Sequence, residues 1–278
     1  MRRPGNGGSG GGRPQPSVDQ ALVDGLDASE RQREILAIAR ANGRVDVTAV
    51  AGQFGVAAET VRRDLKALER NGLVRRSYGG AYPVERAGFE TDMSYRENNH
   101  VQEKHRIAQE AVRHLGEADT VFIDEGYLPS LVCQYLPSDR RLTIVTASLP
   151  VVAAMARHAE HSLILLGGVV RPNTLATVEH WAIRMLGEFV IDCALVGSNG
   201  ISLMEGLTTP DPRVAEVKAT AMKVSRRKIF IGTYEKFGAA TFCRFARVQD
   251  FDLVITDVRL PAATARQYMS LGPEVLRC

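Results

Sequence analysis

The chain is poor in several things that would each have pointed elsewhere. Only four cysteines occur in 278 residues, at 133, 193, 243 and 278, and none forms a CxxC pair. A disulfide framework is therefore not expected, and a reduced cytoplasmic setting fits. Cys133, Cys193, Cys243 and Cys278 read as small buried hydrophobes. His158 and His161 form an HxxH, but no further ligand follows at metal spacing, so no metal site is expected. No apolar run approaches the ~20 residues that cross a bilayer, so no membrane partner is expected. The first 16 residues, MRRPGNGGSGGGRPQP, lack the apolar core of a signal peptide. Their Gly/Pro-rich composition predicts a disordered tail over 1–28. Aromatics are only 6% of the chain, with one tryptophan, and the net charge is just +3.

That small net charge is unevenly placed. Residues 1–83 hold 13 Lys and Arg against 9 Asp and Glu, about +4, which leaves about −1 for the rest. The whole positive excess thus sits in the N-terminal third, as a nucleic-acid-binding head requires. Hydrophobic content of 45% and charged content of 24% are ordinary for a globular protein, and the length allows two cores.

Within residues 29–83 the pattern is specific. ERQREILAIARA (30–41) places Ile35, Leu36, Ile38 and Ala39 on one helical face, and Asn42-Gly43 closes that helix. A short helix follows from Thr48 to Phe54, then Gly55 as the turn and Val56 as a small apolar wedge. In the next helix Val61, Leu65 and Leu68 form the buried stripe. Thr60, Arg62, Arg63 and Lys66 fall largely on the opposite surface. Arginine reads guanine edges bidentately or clamps phosphates. The competing reading is a solvated face paired with Glu59, Asp64 and Glu69. The short preceding helix, the glycine turn and the basic hairpin after it favour a DNA reader. In that hairpin, from Gly72 to Ala81, Gly79-Gly80 marks the turn, and Arg75 and Arg76 would meet phosphate or the minor groove. A winged helix-turn-helix is the expected fold, with a double-stranded DNA operator as its partner.

The run TVRRDLKALERNGLVRRSYGGA resembles the signature of the DeoR family of bacterial transcriptional regulators. Two departures stand out. Ala57 stands where the family has Ser, whose capping is worth ~1 kcal/mol. Tyr78 stands where the family has His.

Residues 84–100 read as a linker, with Phe89 and Arg96 at family positions. From 101 to 278, apolar runs alternate with helical or loop segments: TVFID (120–124), LTIVT (142–146), SLILL (162–166), CALVG (193–197), KIFIG (228–232) and DLVIT (252–256). Such alternation predicts an α/β fold, a doubly wound, mostly parallel sheet covered on both faces. Ligands of such sheets bind at the carboxyl ends of the strands. The site candidates are therefore Asp124, Gly126, Gly167, Gly168, Arg171, Gly200, Glu216, Lys218 and Lys236. Glycines admit anions to backbone amides, and Lys or Arg neutralises them.

LLGG, RPNTLATV, GISLMEGLTTP, AEVK, KFG and VITD resemble the DeoR sensor domain in order, so the resemblance covers about residues 30–277. It implies a fold similar to ribose-5-phosphate isomerase and a phosphorylated sugar, or another small polar effector, that changes operator affinity. A homo-oligomer is expected, and no cofactor. Several positions depart from the family. Its Asp-x-Gly-Thr-Thr-Thr is Asp124-Glu125-Gly126-Tyr127-Leu128-Pro129 here. Ala147 replaces Asn, Glu179 replaces Gly, and Thr233-Tyr234-Glu235-Lys236 replaces Asp-Ser-Ser-Lys. A carboxylate from Glu179 or Glu235 near a phosphate site would oppose binding. The expected function is a transcriptional regulator, a repressor of metabolic genes, with an altered effector. A ligand-independent regulator and an isomerase-like enzyme are the alternatives.

Overall fold

The structure, a computed structural model, describes residues 27–70, 73–77, 79–83, 96–97, 100–156 and 158–278. The expected tail (1–26 of it), Tyr78, Phe89 and most of the expected linker lie outside the described residues. The chain divides into two compact units, 1–85 and 86–278.

The N-terminal unit opens with helix α1 (Ala28–Asn42), which Gly43 ends at φ 69°. Strand β1 (Val45–Asp46) leads into α2 (Val47–Gln53). Asp46 caps α2 by accepting from the amides of Thr48 and Ala49, which satisfies donors that a helix start leaves open. Gly55 turns the chain at φ 63°, a conformation that glycine adopts freely. Helix α3 (Ala58–Arg70) follows, then a hairpin of β2 (Val74–Ser77) and β3 (Gly80–Pro83). Ile35, Ala39, Val50, Phe54, Val61, Leu65, Leu68 and Val74 share one buried core.

The two wing glycines have different jobs. Gly79 takes the positive φ of the turn, at 76°. Gly80 lies in β3 directly beside β1, where a Cβ would come within 2.1 Å of the Val45 carbonyl oxygen. The three strands form one antiparallel sheet in the order β1-β3-β2.

The C-terminal unit is built on seven strands, all parallel: β4 (Thr120–Ile123), β5 (Thr143–Thr146), β6 (Ser162–Leu165), β9 (Ile191–Val196), β12 (Ser225–Ile231), β14 (Leu253–Thr256) and β15 (Glu274–Arg277). Their spatial order is β15-β14-β12-β9-β4-β5-β6. Six match the apolar runs of the sequence. β15 carries Glu274 and Arg277 at an edge, and no continuous apolar run announces it.

Alternate strand residues feed two cores. Val121, Ile123, Leu195, Ile229 and Ile255 face one side, with α4 (Val101–Arg113), α5 (Tyr127–Val132) and α6 (Leu149–Met155). Phe122, Ala194, Val196, Phe230 and Val254 face the other. There α7 (His180–Gly187), α8 (Pro212–Val224) and α9 (Ala262–Met269) contribute Leu186, Ala221 and Tyr268. Strands buried on both faces explain the near-continuous apolar runs. Two small antiparallel additions decorate the sheet. One pairs β7 (Val169–Val170) with β8 (Thr177–Val178). The other joins β10 (Gly200–Ser202), β11 (Gly206–Thr209) and β13 (Cys243–Ala246).

The strand order places a switch point. From β4 the chain proceeds outward through β5 and β6, and it returns to add β9 on β4's other side. The ends of β4 and β9 therefore flank the crevice where such sheets take ligands.

Candidate nucleic-acid interface and sensor site

Helix α3 separates its two faces cleanly. Val61, Leu65 and Leu68 are 0–3% exposed, whereas Arg62, Arg63 and Lys66 are exposed and Thr60 is half-buried. Asp64 is not the surface counter-charge that the solvated-face reading required. It is buried, held by Arg31 Nε at 2.6 Å and Gln32 Nε2 at 3.0 Å, and so pins α3 to α1. Glu59 does pair with Arg62, at 3.2 Å with both side chains exposed, a contact worth little. Glu69 takes Arg76 Nε at 2.6 Å and the Arg76 amide at 3.1 Å. These hydrogen bonds hold its carboxyl below the usual range. Arg63 and Lys66 make no ion pair among the described residues. Arg75 and Arg76 are exposed on the wing. The unit thus offers an exposed basic helix face and a basic hairpin. Position 57 does not prevent α3 from forming, and the Thr60 amide closes the first turn on the Ala57 carbonyl at 2.9 Å.

In the C-terminal unit the switch point is occupied by charge. Asp124, just after β4, accepts the Gly197 amide from the end of β9 at 2.9 Å. Lys218 reaches the same carboxylate from α8 and also donates to the Gly197 carbonyl at 3.3 Å. Glu125 Oε1 lies 3.7 Å from the same ammonium, while Glu125 Oε2 is buried without a partner among the described residues. Both side chains of the Asp124–Lys218 pair are 2% exposed. Burial raises the Asp124 pKa and Glu125 raises it further, against the opposing pull of Lys218.

Gly126, the residue before α5, is buried at φ 111°, and a Cβ there would lie 4.0 Å from Arg96 Nη1. In the stretch that replaces the threonine run, Leu128 and Pro129 are buried in α5. Lys104 sits over the Tyr127 ring at 5.5 Å. Its burial first, then the charge of Lys236, push its ammonium down to about 8. Lys236 therefore belongs to a cationic neighbourhood with Lys104. Glu235 accepts His100 Nε2 at 2.7 Å.

The remaining candidates separate. Glu216 is exposed, two positions before Lys218 on α8, so it points away from the pair. Gly168 and Gly200 serve packing: added Cβ atoms would meet Val178 O at 2.3 Å and Ala239 O at 2.5 Å. Gly167 is exposed with open space beside it.

Arg171 belongs to a second cluster. Its Nε meets Asp211 Oδ2 at 2.9 Å, and its Nη1 donates to Thr174 at 3.0 Å. Asp211 also takes Arg213 through Nε at 3.1 Å and Nη2 at 2.9 Å. Burial works against that carboxylate, but the Arg213 hydrogen bonds and the Arg171 charge outweigh it and lower its pKa. These residues line a cleft of about 490 Å³. Asp211 and Arg213 did not stand out in the sequence. Asp211-Pro212 is a helix-start signature that could have drawn attention to both.

His158, Glu160 and His161 bring three ligand-type atoms within 4.8 Å of one another. The Leu142 amide donates to His161 Nδ1 at 3.2 Å, which leaves the proton of the neutral ring on Nε2. That nitrogen is then a donor facing Glu160 at 3.8 Å, not a lone pair for a metal.

Comparison with known proteins agrees with this two-part organisation. Residues 31–87 match the model of the DeoR-like helix-turn-helix domain, and residues 99–258 match the DeoR C terminal sensor domain. The HTH-type transcriptional regulator GlpR of Haloferax volcanii is 31% identical over 90% of this chain and 98% of its own length. The glycerol-3-phosphate regulon repressor of Escherichia coli is 26% identical over 86% of this chain and 94% of its own. A ribose 5-phosphate isomerase A structure from Methanocaldococcus jannaschii aligns over 48% of this chain and 53% of its own at 14% identity, with a TM-score of 0.35, too slight a likeness to carry an argument.

Proposed function

Because the chain belongs to the DeoR family of DNA-binding transcriptional regulators, we propose that it represses metabolic genes by laying α3 in the major groove of a symmetric operator. The observation that carries this is the exposed Arg62, Arg63 and Lys66 face on a helix anchored from behind by Asp64–Arg31. In this reading Arg62 and Arg63 reach base edges, Lys66 and Thr60 meet the backbone, and Arg75 and Arg76 reach phosphate from the wing. Two copies reading paired half-sites make the active species a homo-oligomer. The protein works in the cytoplasm, where its DNA is. No described helix is long and apolar enough to cross a membrane.

The sensor unit takes a small polar effector at the carboxyl ends of β4 and β9. The E. coli relative is named for glycerol 3-phosphate, and a phosphorylated polyol or sugar is the effector class to test first. Asp124 and Lys218 hold the floor of the site as a closed pair, while Gly126, Lys104 and Lys236 supply its polar rim. The buried Leu128 and Pro129 leave that rim without the hydroxyls of the family pattern, which supports an effector altered from the family's usual ones.

Genome-wide mapping of bound sites, followed by gel shifts on the mapped operators, tests the reading. Binding of one inverted repeat near metabolic genes, released by a phosphorylated sugar or polyol, is the expected result. Equal affinity for mapped and scrambled duplexes would refute it.

A further inference from the structure

Glu179 sits in a backbone conformation that only glycine adopts at little cost, φ 75° and ψ −167°. It is clamped there from both sides. Before it, Thr177 in β8 is tied to Ala147 and Leu166 by its hydroxyl, at 3.1 and 2.7 Å. After it, the Glu179 carbonyl accepts the Ile183 amide at 3.2 Å as α7 begins. The side chain from this strained residue runs to the Arg213 guanidinium, with Nη1 to Oε1 at 3.3 Å.

The guanidinium has two edges. Nε and Nη2 are committed to Asp211, which also holds the buried Arg171. Nη1 is the edge that Glu179 covers, with both side chains near 45% exposed, at 46% and 44%. Arg171, Asn173, Pro210 and Asp211 line the adjoining cleft. Among the described residues its two guanidiniums face Asp211 and Glu179. Withdrawing Glu179 removes one negative charge and opens the Nη1 edge of Arg213.

We propose that Glu179 is a built-in competitor: its carboxylate occupies the Arg213 edge of an oxyanion site, and a phosphate group must displace it to bind. The inference rests on the reading that this unit senses a small polar effector, and it adds an oxyanion subsite in the Arg171–Asp211–Arg213 cluster to the site at the ends of β4 and β9. Geometry matches the role. Arginine takes oxyanions through paired N–H groups, and a tethered carboxylate at high local concentration competes with a free one.

The test is calorimetric titration of the full-length protein with inorganic phosphate, without DNA. Wild type, Glu179→Gly, Glu179→Gln and the double variant Glu179→Gly/Arg213→Ala are compared. The glutamine variant keeps the side-chain length and removes the charge; the glycine variant also removes the strain. Both single variants should bind phosphate about three- to tenfold more tightly than wild type, the effect of removing one half-exposed, solvent-screened like charge. The double variant should lose that gain. Affinities equal to wild type in both single variants would overturn the proposal, as would a gain that survives loss of Arg213. Operator affinity is measured separately on the same proteins, so failure of the phosphate arm is distinguishable from failure of the DNA-binding reading.

Discussion

Replacing Lys218 with methionine isolates what holds the switch point together. The substitution keeps most of the length and apolar stem of a side chain that is 2% exposed and removes the ammonium, with its hydrogen bonds to Asp124 and the Gly197 carbonyl. Asp124 would retain the Gly197 amide as a donor, but it would face Glu125 with no ammonium between them. Breaking a buried pair by removing one partner costs about 3–5 kcal/mol. For a unit of this size that corresponds to a fall in melting temperature of roughly 6–20 °C. Trp181, the single tryptophan, lies on α7, so its fluorescence reports this unit's unfolding in the intact chain. The loss should depend on pH with a definite sign. A carboxyl whose folded pKa is raised binds more protons folded than unfolded, between its two pKa values, so stability falls as pH rises through that window. The Asp124 pKa is already raised by burial, and losing Lys218 raises it further. The variant should therefore recover stability as pH drops from 7 toward 5. Adding Asp124→Asn should restore most of the loss at pH 7. A penalty under about 1 kcal/mol, or one that is flat with pH, would refute the account of this centre as a closed floor held by the Lys218 ammonium.

Arg63→Ala should weaken operator binding by about 1–3 kcal/mol and relax discrimination at one base pair, whereas Lys66→Ala should weaken all sequences alike and lower the salt slope by about 1; quantitative gel shifts at several salt concentrations separate the two. Gly80→Ala forces a Cβ to within 2.1 Å of the Val45 carbonyl oxygen, and should destabilise the wing by about 1–3 kcal/mol, read by circular-dichroism melting and by loss of operator affinity. Lys104, whose pKa burial brings down to about 8, contributes an unfavourable buried charge that is relieved as pH rises from about 8 toward the ordinary lysine range. Stability followed by Trp181 fluorescence should gain over that interval in wild type, and Lys104→Met should flatten the dependence.

Much of the architecture was legible because it follows from periodicity. Val61, Leu65 and Leu68 repeat at helical spacing, and only one face of α3 can then be buried. Six of the seven parallel strands are apolar on both faces, so they stand out as continuous runs. β15, an edge strand like β6, carries Glu274 and Arg277 at its ends and lacks that signal. Asp64 shows where spacing runs out. It shares the inward face with Val61 and Leu65, but its partner Arg31 is 33 positions away, and only the packing of α1 on α3 turns a surface charge into a buried clasp.

The sequence by itself determined two units, a basic reading helix and an ordered set of glycines and charges at strand ends. Those are local properties, set by side-chain period and by the conformations that glycine permits. Which of the charges meet was decided by tertiary structure. Asp124 and Lys218 are 94 positions apart and touch because α8 packs against β9, the strand next to β4 across the switch point. Glu216, two residues before Lys218, is turned to solvent by the same helix. Glu179 and Arg213 are 34 positions apart and come together only where β8 meets the start of α8. Charges act through distances that chain topology sets, and no local pattern encodes those distances.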